Sequence, residues 1–491
     1  MLAPWTIWAA IAVFALFGLA VSWRATRENA GTAEDYYLGN RRFGGVVAGL
    51  SYAATTYSAF MLVVLTGLTY RGGIGALGFE LIYFAGLGLL VIFAPRFWLA
   101  ARRWGFISPA EMLGARYGSV WVARAAALVA LVFLMPYCTT QMAGIGLLLS
   151  GVTGGEITLV QAVATGGLLA ALWTLFAGLR SVAWTDAVQA VVMLGSALLA
   201  ILFAVSAIGG WGAFAQATLE TQGARLTVPA AGQPGLWGFG TFVALSLPWF
   251  FFAISNPQVS QRLFILKDMA AMRRMIFWVL GFGLAFTLVA VTWGFAALQL
   301  APGLENTATA TPALLTSGAI PAPVAVLLIL GILAAAVSTL DSIALTLGAM
   351  VARDLMTDAQ PRAQILTGRV VVILVILFAS LFAVQKAQIV DQLAALSAAG
   401  LMVTVPAIIG AFFWRRATAA GALASILAGA ALAVWMAMVQ GVSVFNPVLA
   451  LSVGGLSLGL FVLVSLLTRP AARALDFGAD LREDLDKVGA W

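Results

Sequence analysis

Ser51-Tyr52-Ala53-Ala54-Thr55-Thr56-Tyr57-Ser58 stands in the middle of an uncharged stretch, residues 44–70. Serine and threonine hydroxyls compete for backbone hydrogen bonds, so this run predicts a helix that breaks at its centre. The theme returns at Ser246-Leu247-Pro248-Trp249 and Ser255-Asn256-Pro257, where two prolines and an asparagine interrupt residues 237–261. Two interrupted segments in corresponding positions of two halves are the sequence pattern of an inverted repeat with a binding site between the breaks.

That reading holds only if both segments cross a membrane, and composition says that they do. Of 491 residues, 62% are hydrophobic and 9% charged, against about 25% charged in a soluble domain. Mean hydropathy is +1.02. Apolar runs of ~20 residues recur, the length that spans ~30 Å of hydrocarbon. Backbone groups in lipid must be satisfied within the segment, so the runs read as helices. The expected fold is an all-α integral membrane protein.

The net charge of +7 does not indicate nucleic acid, because the basic residues fall in short loops between the apolar runs. Cys138 is the one cysteine and there is no histidine. An internal disulfide is excluded, a transition-metal site is disfavoured, and the usual general base is missing, which weighs against an enzyme. No GxxxxGK[ST] run marks ATP-driven transport, and no organic cofactor is expected.

The expected spans are 4–23, 44–70, 74–98, 120–150, 157–179, 183–208, 237–261, 275–301, 321–352, 365–384, 388–413, 418–440 and 445–467, about thirteen in all. The first lacks a basic segment ahead of it and has one behind it, so it reads as a retained span with its N-terminus outside. This places 23 of the 26 basic residues on the cytoplasmic side, Arg262 among them, and only Arg71, Arg225 and Lys386 outside. The bias fits the positive-inside rule. The chain then forms a single transporter domain, multi-pass in a bacterial-type inner (plasma) membrane. Residues 44–208 are the first repeat and 237–413 the second. Spans at 4–23 and within 418–467 are peripheral, and 468–491 is a cytoplasmic tail. The partners are the lipid bilayer and a small-molecule substrate, and a monomer suffices.

Polar groups at membrane depth mark function. Glu80, Asp186 and Asp341 lie well inside spans, with no arginine or lysine expected at their depth. Buried acids without basic partners call for protons or metal cations. Around the last, Ala334-Ala335-Ala336-Val337-Ser338-Thr339-Leu340-Asp341-Ser342 puts Ser338, Asp341 and Ser342 on one helix face. Two hydroxyls and a carboxylate are hard oxygens suited to a small cation. The alanines allow another helix close.

These stretches, with Tyr37-Leu38-Gly39-Asn40-Arg41-Arg42, Gly178–Gln189, Asn256–Arg262 and Arg353-Asp354, resemble the sodium/solute symporter family over roughly residues 1–440. The family includes sodium/glucose, sodium/proline, pantothenate and monocarboxylate transporters, and the local motifs look nearest the last two. The resemblance implies a LeuT-like 5+5 core made of spans two to eleven. It implies a core sodium site from the backbone oxygens of Ala54, Tyr57 and Ala335 and the hydroxyls of Ser338 and Thr339. It also implies a second sodium or proton site at Asp186, Ser338, Asp341 and Ser342, with Asp341 where relatives carry serine or asparagine. Thr56 replaces the acid of proline transporters. Glu80 matches one sugar-binding position, but most of the others are missing.

Candidate substrate contacts are Thr55, Thr56, Ser58, Glu80, Gln141, Trp249 and Asn256. With no deep arginine, half-helix N-termini are the expected grip on a carboxylate. The expected function is sodium-coupled uptake of a small monocarboxylate-type solute. The alternatives are proton coupling on the same fold, a sensory module acting with a separate partner, and a passive channel.

Overall fold

A computed structural model describes residues 2–27, 32–228, 236–356, 360–386 and 390–490. Among the described residues, ten helices are long and apolar enough to cross a membrane. An eleventh span is a pair, Gly45–Thr56 and Phe60–Gly72, bent by 46° at the expected break. Two shorter apolar helices, Leu159–Leu175 and Phe239–Phe250, stand where further spans were placed. A count of thirteen requires both of these as well. Residues 388–389, the start of the expected eleventh span, and 229–235 of the outer loop lie outside the described residues.

Local chemistry sets the ends. Thr158 and Gln161 form a capping box ahead of Leu159–Ala177. Asp268 caps Met269–Leu300 through the Ala271 N–H at 2.7 Å. That helix therefore starts six residues before the expected 275, because Arg273 and Arg274 extend it past the apolar run. Gly178 begins Leu179–Ile208 at φ 58°, a conformation open to glycine, with the Tyr36 carbonyl packed against it.

The helix Ala322–Met350 is the central post: every residue from Gly331 to Met350 is buried. Leu179–Ile208 packs along it, and both meet the first broken helix, which also rests on Met269–Leu300. Ala419–Val434 and Pro447–Leu467 pair at the periphery. Exposed leucines and phenylalanines such as Leu377, Phe378, Leu463 and Leu467 face outward on the helices Pro361–Lys386 and Pro447–Leu467, where lipid covers them. The tail folds back: Phe477 is buried against Trp104 (centroids 5.0 Å apart) and Phe412 (5.3 Å).

The second break also forms. Phe239–Phe250 ends at Phe251, a short turn Phe252–Ser255 follows, Asn256 is extended, and Pro257–Ser260 resumes. Phe43, ahead of the first broken helix, and Leu266, after the second, form a parallel bridge.

Gly86 holds the second break in place, since a Cβ there would collide with the Phe250 carbonyl. Gly86→Ala is expected to destabilise by about 1–3 kcal/mol through overpacking. Gly281→Ala has open space around it and is expected to leave thermal unfolding unchanged or slightly improved.

Candidate functional site: an ion cluster and a chamber between two broken helices

The first broken helix releases its ladder at Tyr57, which is extended (φ −97°, ψ 91°). Ser58 then caps the outer half by accepting from the Phe60 N–H at 3.2 Å. On the inner half, the Ala54 carbonyl faces the central helix. The Ser338 hydroxyl reaches Ala54 O at 3.0 Å and Ala335 O at 3.1 Å. The Thr339 hydroxyl reaches Ala54 O at 3.3 Å, Thr55 O at 3.4 Å and Ala335 O at 3.0 Å. Three carbonyls and two hydroxyls from two helices thus converge, a neutral set of hard oxygens. Tyr57 follows directly, with its own N–H still donating to Ala53 O.

Toward the Phe43–Leu266 bridge lies a charged cluster. Sequence reasoning put Arg262 in a loop and the three deep acids without basic partners. The structure corrects this for Arg262 and Asp186, because Arg262 is 1% exposed and pairs with Asp186. Its Nη2 donates to Asp186 Oδ2 at 3.0 Å and also to Ser342 Oγ. Nε donates to Ser51 Oγ at 3.1 Å, and Nη1 to the Gln258 carbonyl at 2.8 Å. Ser51 in turn donates to Asp186 at 2.7 Å. The physical reason is the second break: only four residues separate Asn256-Pro257 from Arg262, and the short turns Pro257–Ser260 and Gln261–Ile265 that follow it are buried throughout.

Asp341, also buried, acts electrostatically on Arg262 and Asp186, but neither of its carboxylate oxygens has a hydrogen-bond partner. Asp186 Oδ1 is likewise unpartnered. Two carboxylates therefore share one guanidinium. Thr55 joins this cluster, for its hydroxyl lies 2.9 Å from Ser342 Oγ and donates to Ser51 O.

The other expected substrate residues gather across the break. Ser58 meets the Tyr137 hydroxyl at 3.2 Å, one turn before Gln141. Tyr83 donates to the Thr56 carbonyl at 3.2 Å. Tyr83 and Tyr137 both lie against Trp249, at 5.2 and 6.2 Å between centroids. Thr56 Oγ1, Gln141 Oε1 and both Glu80 oxygens are buried with no partner. Asn256 sits at the second break, with its Oδ1 accepting from Ser255 at 3.1 Å. Sequence reading missed Arg262, Ser51, Tyr83 and Tyr137. Only Arg262 left a signal, its closeness to a proline break.

Comparison with known proteins follows the same lines. The sodium:solute symporter family profile matches residues 36–429. The sodium/pantothenate symporter of Escherichia coli is 31% identical over 245 residues, 48% of this chain and half the length of that protein. The sodium/pantothenate symporter of Haemophilus influenzae is 24% identical over 88% of this chain and 90% of its own. The monocarboxylic acid transporter of Corynebacterium glutamicum is 24% identical over 85% and 81%. In fold, the chain is similar to an outward-open Na+-coupled sialic acid symporter (TM-score 0.78, 21% identity, 95% of this chain and 99% of that one). A nucleobase-cation-symport-1 family transporter is more distant, at TM-score 0.58 and 17% identity over 91% and 98%. The LeuT-like helical architecture implied by the family resemblance agrees with these folds, and the protein belongs to the sodium:solute symporter family of membrane transporters.

Proposed function

We propose that the protein imports a small organic solute bearing a carboxylate, driven by sodium entering down its gradient. The observation that carries this is the meeting of Ala54 O and Ala335 O with the Ser338 and Thr339 hydroxyls at the first break. Sodium bound there, with the Tyr57 carbonyl as a further ligand, would tie the broken helix to the central helix. Release of the ion would free one repeat (44–208) to rock against the other (237–413), which is alternating access. The carboxylate is supported by the relatives named for pantothenate and monocarboxylic acids. It would meet the N–H groups at the half-helix ends, with Ser58, Gln141, Trp249 and Asn256 around it. The N-terminus is outside and the C-terminus inside a bacterial-type plasma membrane, and one protomer suffices.

The test is thermal unfolding of the purified protein in sodium against potassium at matched ionic strength. A ligand of the folded state stabilises by mass action, about 2.7 kcal/mol at a hundred times its dissociation constant. Selective stabilisation by sodium is expected, and equal behaviour in the two salts would refute the reading.

A second reading has its own observation. With Arg262, the set Asp186, Ser338, Asp341 and Ser342 holds one more carboxylate than guanidinium, and neither Asp341 oxygen has a hydrogen-bond partner. Either a second sodium or a proton balances it. If a proton does, the pH dependence of stability should flatten in Asp341→Asn. If a second sodium does, the same variant should instead lose part of the sodium response.

A further inference from the structure

We infer that Glu80 receives a positively charged nitrogen of the transported solute, so that the solute is a zwitterion rather than a plain anion. This rests on the transporter reading above and adds the substrate class to it. Glu80 is 1% exposed, on the helix Gly75–Gly86, and both carboxylate oxygens lack a hydrogen-bond partner. No basic side chain among the described residues pairs with it, and burial alone governs its charge. Its neighbours are rings. Its charge acts on the Tyr57, Tyr83 and Tyr137 phenols. Tyr83 lies 5.8 Å from Tyr57 and 5.3 Å from Phe252 between centroids. Phe252 stacks on Trp249 at 5.4 Å, and Phe79 closes the wall at 6.0 Å from Trp249.

An unpaired carboxylate in such a place is costly until something positive neutralises it. Ring faces carry negative potential, so they attract cations and repel anions. The ring cluster touches both breaks, through the Tyr83–Thr56 hydrogen bond on one side and Trp249 with Phe252 on the other. An ammonium bound here therefore lies between the two half-helix ends, and the same solute can present a carboxylate to their N–H groups. The ion cluster is separate: Arg262 pairs Asp186 there, and Glu80 takes no part in it.

The experiment is thermal stabilisation of the purified protein in saturating sodium by two shape-matched pairs. One pair is glycine betaine against 3,3-dimethylbutanoate, and the other is β-alanine against propionate. At least one nitrogen-bearing member should stabilise more than its carboxylate counterpart. In Glu80→Gln that preference should fall at least tenfold in concentration while stabilisation by sodium persists. Trp249→Leu should weaken the same preference without a change of charge, and serves if Glu80→Gln folds poorly. Carboxylates binding as well as their nitrogen-bearing partners, neither pair stabilising, or a preference unchanged in both variants would overturn the inference. Loss of the sodium effect in the unaltered protein would instead refute the transporter reading.

Discussion

Replacing Arg262 by glutamine is expected to destabilise the folded protein by about 3–5 kcal/mol, the range for breaking a buried ion pair from one side. The guanidinium donates to Asp186, Ser51, Ser342 and the Gln258 carbonyl. Without it Asp186 retains only the Ser51 hydroxyl, and Asp341 loses the one positive charge near it. Thermal unfolding in detergent reads the loss. Adding Asp186→Asn should recover part of it, since two neutral partners leave less charge uncompensated. A double variant as unstable as Arg262→Gln alone would show that Arg262 acts by packing and not by charge balance.

Arg262 also shows where the sequence stops being legible. The spans were readable because bilayer-length apolar runs and the basic loops between them carry a strong signal, and their observed ends fall within a few residues of the expected ones. The breaks were readable because hydroxyls, proline and asparagine interrupt those runs. The Ala54–Ser338–Thr339 convergence was readable as a set, since Ser338 and Thr339 are adjacent polar residues on a helix that is buried along its whole inner half. Arg262 was lost because a basic residue near a span end has the same signature whether it points to water or inward. Its direction is set by three other elements, those carrying Ser51, Asp186 and Ser342. The aromatic chamber was lost for a similar reason. Tyr57, Tyr83, Tyr137 and Trp249 come from four helices, and no spacing along the chain brings their rings together. Thr55, expected beside the substrate, turned out to face Ser342 because the break falls two residues later, at Tyr57.

The second large effect concerns the ion. Ser338→Ala and Thr339→Ala each remove one oxygen from the convergence at Ala54 and Ala335. Each is expected to raise the sodium concentration for half-maximal stabilisation at least tenfold, equivalent to about 1.4 kcal/mol. In potassium the same variants should differ from the unaltered protein by only about 0.5–1.5 kcal/mol, the ordinary worth of a hydrogen bond. A uniform loss in both salts would make the two hydroxyls structural ties between helices. A loss confined to sodium would make them ligands.

Binding of radiolabelled sodium to the purified protein tests the core claim most directly. Saturable binding is expected, displaced by unlabelled sodium and not by potassium, and abolished when Ser338 and Thr339 are both replaced by alanine. Binding that never saturates, or that survives the double replacement unchanged, would contradict a sodium site at the first broken helix.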